Sequence, residues 1–260
     1  MTVHNVTLGD QQVAVSVDEF GSGAPFLFLH GGAGTPSMAS FAQRLANEGY
    51  AHIYLPTHPG FGGTPRPDSL NSIPALAQLY IALIEQLDLR DVVVVGSSIG
   101  GWIAAEMAAQ GSERISRFIL LDATGIAVEG RPVTDIFQIT LDELAQRSYY
   151  NPAAFRIDPS AMTDTQKAIM AGNRQALAVY GGQMIDPTLL DRLSGVTAPT
   201  LVLWGDSDGI VTPEYGRVYA AGIPTARFQL LPKTGHMPQL ETPDQVLAAI
   251  RDFVNLSSPR

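Results

Sequence analysis

The sequence predicts an α/β fold: a doubly wound, mostly parallel eight-stranded sheet with an antiparallel hairpin at its start and an all-helical insertion late in the chain. Three observations lead there. Short apolar runs alternate with helix-length stretches from residue 26 onward, the order expected of parallel strands joined by crossover helices. One of those runs, Val92-Val93-Val94-Val95, is closed by the sharp turn Gly96-Ser97-Ser98-Ile99-Gly100. The alternation then stops near Ile126 and resumes after Leu193.

The elements follow in order. Val3, Val6 and Leu8 alternate before a Gly9-Asp10 turn and Val13, Val15 and Val17 after it, so two antiparallel edge strands are expected. Phe26–Leu29 is a buried strand running into the glycine-rich loop His30-Gly31-Gly32-Ala33-Gly34. A helix over about 37–47 and a strand over 51–55 lead to the proline- and glycine-punctuated loop 58–65. A long helix over about 73–87 feeds the valine strand, and the segment Trp102–Gln110 after the turn is helical. Phe118–Leu121 is the next strand, ended by Asp122-Ala123-Thr124-Gly125.

Residues 126–193 contain no strand pattern. They carry instead three helix starts: the capping boxes Thr140-Leu141-Asp142-Glu143 and Thr163-Asp164-Thr165-Gln166, and Asp186-Pro187 as an N-cap with proline at the first helical position. The chain thus divides into a core, 1–125 and 194–260, and a helical lid, 126–193. The sheet resumes at Thr200–Trp204, a helix starts at Thr212-Pro213, Arg227–Leu231 is the last strand, and Thr242-Pro243 opens a final helix to about Val254.

Composition narrows the function. A chain of 260 residues buries about three quarters of its unfolded surface, enough for one large domain. With no cysteine, thiolate metal sites, disulfides and a cysteine nucleophile are all excluded. Sixteen basic against 25 acidic residues give a net charge of -9, which disfavours a nucleic-acid partner. The N-terminus lacks the charge and apolar core of a signal peptide and no apolar run approaches membrane-spanning length, so the expectation is a soluble, unexported, cytoplasmic protein without membrane contact. Without export, the glycosylation patterns at Asn5-Val6-Thr7 and Asn255-Leu256-Ser257 have no consequence. Monomer and homodimer both fit this composition.

The chemistry concentrates at the turn. A serine between two glycines, leaving a buried strand and entering a helix, reads as a nucleophile elbow with Ser98 at its tip. Side chains at 96 and 100 would collide with backbone in so sharp a turn, and the helix N-terminus behind Ser98 favours an oxyanion, with the Ile99 N–H as first donor. The loop at 30–34 lacks both the dinucleotide and the phosphate-loop pattern, which leaves an oxyanion loop with Gly32 supplying the second N–H. His30 reads as a structural ring, and His52 and His58, on different elements with no carboxylate at ligand spacing, do not form a metal site.

A serine on an elbow needs a base, and the base a carboxylate. His236, in Gly235-His236-Met237 after the last strand, is the base. For the acid, Asp208 lies far enough along its loop to turn back, Asp206 directly follows the strand as a turn residue, and Asp122 is the alternative after the preceding strand. Asp208 is preferred.

Taken together, His30-Gly31-Gly32, Pro59-Gly60-Phe61-Gly62, Gly96 to Gly100, Trp204-Gly205 to Asp208 and Gly235-His236 resemble, in order and over nearly the whole chain, the α/β-hydrolase superfamily. That resemblance implies a Ser98-His236-Asp208 triad, a cap over the pocket, a small-molecule substrate, and neither cofactor nor metal. Serine at 98 separates the chain from relatives with aspartate elbows. Among the small serine members, carboxylesterases come first, and lactonases and perhydrolases stay open. Carbon–carbon bond hydrolases of the meta-cleavage product type come second, although Met237-Pro238 stands where those usually carry a tryptophan soon after the histidine. A small-ligand receptor with slow residual hydrolysis is the reading from another class. The insertion is expected to lie over Ser98 and wall the pocket with side chains such as Phe137, Met170 and Tyr180.

Overall fold

Successive side chains of a strand point to opposite faces, so a run of four valines can only be stable if both faces are covered. The computed structural model describes residues 1–254 and shows that arrangement: Val92 and Val94 pack into one apolar layer, Val93 and Val95 into the other. The Asn255-Leu256-Ser257 pattern lies outside the described residues.

In chain order the elements begin with β1 (Thr2–Leu8), β2 (Gln11–Gly21), β3 (Ala24–Leu29), α1 (Pro36–Ala46), β4 (Ala51–Pro56), α2 (Ile73–Gln86), β5 (Val92–Ser97), α3 (Ile99–Gln110) and β6 (Ile115–Leu121). There follow β7 (Gly125–Ile126), α4 (Leu141–Ser148), α5 (Pro152–Phe155), a 3-10 turn (Pro159–Ala161), α6 (Asp164–Gly181), β8 (Ile185–Asp186) and α7 (Leu189–Leu193). Then come β9 (Thr200–Gly205), α8 (Pro213–Ala221), β10 (Ala226–Leu231), α9 (Pro238–Glu241) and α10 (Pro243–Val254). Eight strands form one sheet in the order β1-β2-β4-β3-β5-β6-β9-β10, antiparallel at β1-β2 and β2-β4 and parallel from β4 onward. Helices α2, α3 and α8 cover one face, α1 and α10 the other. The loops after β3, β5, β6, β9 and β10 therefore open at one edge, where sheets of this kind build their sites. Among the described residues no helix is long and apolar enough to cross a membrane.

Five expectations need correction. Of the two N-terminal strands only β1 lies at an edge, because β2 also pairs with β4. Strand β6 starts at Ile115, three residues early: Ile115 and Arg117 pair with Val92 and Val93, and the register shift between those two valines leaves the polar Ser116 bulged out of the pairing. Helix α3 starts at Ile99, directly after the elbow. The 126–193 stretch is not all-helical, since β7 and β8 form a two-stranded parallel ladder where the chain leaves and re-enters. For the same reason Asp186 is not an N-cap: it sits in β8, and its Oδ1 accepts from the Thr188 N–H at 2.8 Å. Both capping boxes are present, on α4 and α6. The apolar sides of α6 and α7, with Ala176, Leu177, Tyr180, Leu189 and Leu193, join the same layer as Ile99 and Trp102.

Candidate active site

Ser98 has φ 56° and ψ -118°, a region that L residues occupy only under strain of order 1–3 kcal/mol. The surroundings hold it there. Its N–H donates to Leu121 O at 2.9 Å, and its carbonyl accepts from Trp102 N (3.1 Å) and Thr124 N (3.2 Å). A Cβ on Gly96 would lie 2.1 Å from Gly100 O, and one on Gly100 2.0 Å from Leu29 O, so the elbow closes only with glycine at both ends.

The tight turn aims the hydroxyl at one ring. His236 Nε2 lies 2.9 Å from Ser98 Oγ, and its Nδ1 lies 2.8 Å from Asp208 Oδ2. A carboxylate can only accept, so Nδ1 carries the ring proton and Nε2 is the acceptor facing the serine hydroxyl. The second oxygen of Asp208, Oδ1, accepts from the N–H groups of Ile210 (2.7 Å) and Val211 (3.1 Å), which fixes the carboxylate plane. All three side chains are buried. Ser98, His236 and Asp208 thus come together from three loops separated by up to 138 residues.

The end of α4 ties two of those loops in place. The Gly209 N–H donates to Arg147 O (2.8 Å) and the His236 N–H to Ser148 O (2.7 Å). Glu241 accepts from the N–H groups of Gly235 (2.7 Å), Asn151 (2.8 Å) and Tyr150 (3.1 Å), joining the histidine loop to the insertion. Glu241 was not singled out from the sequence. Its spacing from His236 carries no signal, because its role depends on where α4 docks.

Of the two other acids, Asp206 turns away: its Oδ1 accepts from Ser207 Oγ (2.8 Å) and the Thr234 N–H (3.2 Å). Asp122 does not touch the ring in Asp208's manner, yet it is fully buried beside the pair, with Oδ1 accepting from the Gly205 N–H at 2.8 Å. Among the described residues, the one cluster of three side chains with metal-ligand chemistry is Asp122, Asp208 and His236, and two of these are already bonded to each other.

Gly31 runs against the elbow, where a Cβ would be 3.3 Å from Ser98 Cβ. The amides of Gly32 and Ile99, the two expected oxyanion donors, take no hydrogen-bond partner among the described residues. His30 supports this loop and has no free nitrogen. Its Nδ1–H donates to Gly31 O (2.7 Å) and its Nε2 accepts from the His58 N–H (3.1 Å). His58 in turn donates from Nε2 to His30 O (2.9 Å) and accepts at Nδ1 from Tyr80 OH.

These two buried rings carry a stability prediction. Burial pushes His30 down to about 4, and burial together with the neighbouring His30 holds His58 well below the usual imidazole range. Both are neutral in the folded chain but titrate near 6.5 when it unfolds, so the unfolded state binds more protons below that pH. Stability should therefore fall as pH drops from about 6.5 toward about 4, by roughly 2 kcal/mol for His30 alone at about pH 5. Urea unfolding at about pH 7 and about pH 5 checks this, and an unchanged midpoint would show that the two rings are not held neutral.

The insertion lies directly on this loop. Helix α6 places Leu177 over Gly32, where a Cβ would be 2.9 Å from Leu177 Cδ2. Asn173 Oδ1 accepts from the Gly62 N–H (2.8 Å), and Tyr180 OH donates to Pro59 O (2.9 Å). Of the residues expected to wall a pocket, Tyr180 is buried, while Phe137 and Met170 are half-buried, with the Arg174 guanidinium 5.2 Å over the Phe137 ring. Leu177 and Asn173 escaped the sequence reading because helical periodicity gives a face, not the loop that face meets.

Residues 26–249 match the alpha/beta hydrolase family. The chain belongs to that family. Two similar proteins are 26% identical to this hydrolase: the 2-hydroxy-6-oxononadienedioate/2-hydroxy-6-oxononatrienedioate hydrolase of Cupriavidus pinatubonensis, covering 95% of this chain and 92% of that one, and Lipase 1 of Psychrobacter immobilis, covering 89% and 77%. Among solved structures, the thermophilic esterase of Thermogutta terrifontis superposes with a TM-score of 0.79 at 24% identity, covering 99% of each chain.

Proposed function

We propose that this hydrolase cleaves small or medium carboxylic esters, or related acyl bonds, through an acyl-enzyme on Ser98. The observation that carries the reading is the unbroken line from Asp208 Oδ2 through His236 to Ser98 Oγ, with both links under 3.0 Å. In the first half-reaction, His236 Nε2 takes the Ser98 proton as Oγ attacks the acyl carbon. The tetrahedral oxyanion lies at the Gly32 and Ile99 amides, whose N–H groups are unspent among the described residues. The imidazolium, stabilised by Asp208, then protonates the leaving alcohol, and the same ring activates water to release the acid. No step draws on a cofactor or metal. The substrate is a small molecule met in the cytoplasm, in keeping with a surface too acidic to favour nucleic acid.

The 126–193 lid supports the limit on size. Leu177 over Gly32 and the bonds from Asn173 and Tyr180 to the 58–64 loop roof the oxyanion loop with a helix. Short-chain p-nitrophenyl esters should therefore show higher kcat/KM than palmitate-length ones, without a rate jump above the critical micelle concentration. A long-chain preference or such a jump would make the roof a lipase-type flap.

Carbon–carbon bond hydrolysis is the second reading, favoured by the similarity to the dienedioate hydrolase. A panel of p-nitrophenyl esters, lactones and vinylogous diketones, run over many turnovers, tests both. Steady turnover of esters supports the first reading and steady turnover of diketones the second. A single slow turnover of either would point to a ligand receptor instead.

A further inference from the structure

Asp122 and Asp208 put two carboxyl groups side by side in the interior, neither more than 4% exposed. One oxygen of each and a ring nitrogen of His236 lie within 4.8 Å of one another. Among the described residues neither is paired with lysine or arginine, and the imidazole is their one basic neighbour. Two adjacent anions without a cation are too costly to bury, so the pair must hold a proton.

The hydrogen bonds decide which carboxyl holds it. Three donors already point at Asp208: the Ile210 and Val211 N–H groups at Oδ1 and the ring Nδ1–H at Oδ2. Asp122 receives one, from Gly205 at Oδ1, and among the described residues its buried Oδ2 has no partner. Donors stabilise the charged form, so the charge belongs on Asp208 and the proton on Asp122. A proton on Asp122 Oδ2 also gives that orphan atom a hydrogen to donate, and Asp208 Oδ2, beside it in the cluster and accepting from His236, has a lone pair to spare.

We propose that Asp122 is a positioning residue held as the neutral acid, donating a hydrogen bond from Oδ2–H to the Asp208 carboxylate and so extending the line behind His236 by one member. Burial first, and the Asp208 charge second, raise the Asp122 pKa well above the usual carboxylate range, in the same sense. The inference rests on the reading of Asp208 as the partner of a catalytic His236. The added donor restrains the Asp208 plane and spreads its charge, which sets how strongly it attracts the imidazolium.

Two variants and one spectrum test it. In Asp122→Asn the amide accepts from Gly205 and donates to Asp208 as the neutral acid does, so kcat should stay within about threefold and the acid limb of the kcat/KM profile within about 0.3 pH units. Asp122→Leu lacks the donor, so kcat should fall about 10- to 100-fold and the limb should rise by about half a unit or more as the more concentrated Asp208 charge favours the imidazolium. At neutral pH the wild-type infrared spectrum should contain the carbonyl stretch of a buried carboxylic acid that is lost in Asp122→Asn, a readout that needs neither variant to be active. A limb that falls in Asp122→Asn, or no such band, would show Asp122 to be an anion and overturn the proposal. So would an Asp122→Leu enzyme with lowered Tm but unaltered kcat and pH profile. If Asp208→Asn kept its activity, the triad reading would fail instead, and the infrared band would still decide the protonation of Asp122.

Discussion

Ser98→Ala is expected to lower kcat for ester hydrolysis by about 10⁵- to 10⁶-fold, the scale seen when the nucleophile of an interdependent triad is lost. Alanine removes the oxygen that His236 Nε2 faces at 2.9 Å and leaves the ring, Asp208 and the Gly32 and Ile99 amides in place. The fold should be retained, because Ser98 is anchored through its backbone, by Leu121, Trp102 and Thr124, and not by its hydroxyl. Relief of hydroxyl burial leaves the strained φ unchanged, so Tm should move little. A fluorophosphonate probe should add one label to the wild-type chain and none to Ser98→Ala. Labelling that persists would place the nucleophile elsewhere.

Asp208→Asn is expected to lower kcat by about 10⁴-fold without loss of the fold. The structure gives the reason. The Ile210 and Val211 N–H groups demand an acceptor at the position of Oδ1, so the new amide must turn its oxygen toward them and its NH₂ toward His236 Nδ1. Nδ1 is then forced to accept, the ring proton moves to Nε2, and the nitrogen facing Ser98 can no longer take the serine proton. Asp206→Asn should cost only a few-fold, because Asp206 contacts Ser207 and Thr234 and not the ring. A near-normal Asp208→Asn alongside a crippled Asp122→Asn would transfer the role of the acid to Asp122.

Much of this molecule was legible because its determinants are short in range. Four β-branched residues followed by glycine, serine and glycine specify a buried strand and a sharp exit within nine positions, and the clash distances at Gly96 and Gly100 show why other residues cannot make that turn. The capping boxes of α4 and α6 likewise close within four residues, which is why they appear where the sequence placed them. The order Ser98, Asp208, His236 was readable because parallel strands deliver their C-terminal loops to one edge, so the fold class alone brings the three residues close.

What only the tertiary structure decided depends on how separate elements meet. The short β7–β8 ladder has two residues in each strand, too few for any period, and exists because the ends of the insertion return side by side. Leu177 reaches Gly32, and Glu241 reaches Gly235, Tyr150 and Asn151, only because the insertion docks at the angle it does. Asp122 is the clearest case. In the sequence it stands behind Asp208, which lies further along its loop, and nothing local tells which of the two carries the charge. In three dimensions they are neighbours, and the number of donors aimed at each separates the anion from the acid. Patterns along a chain record backbone conformation and burial, whereas the charge on a buried group depends on every element packed around it.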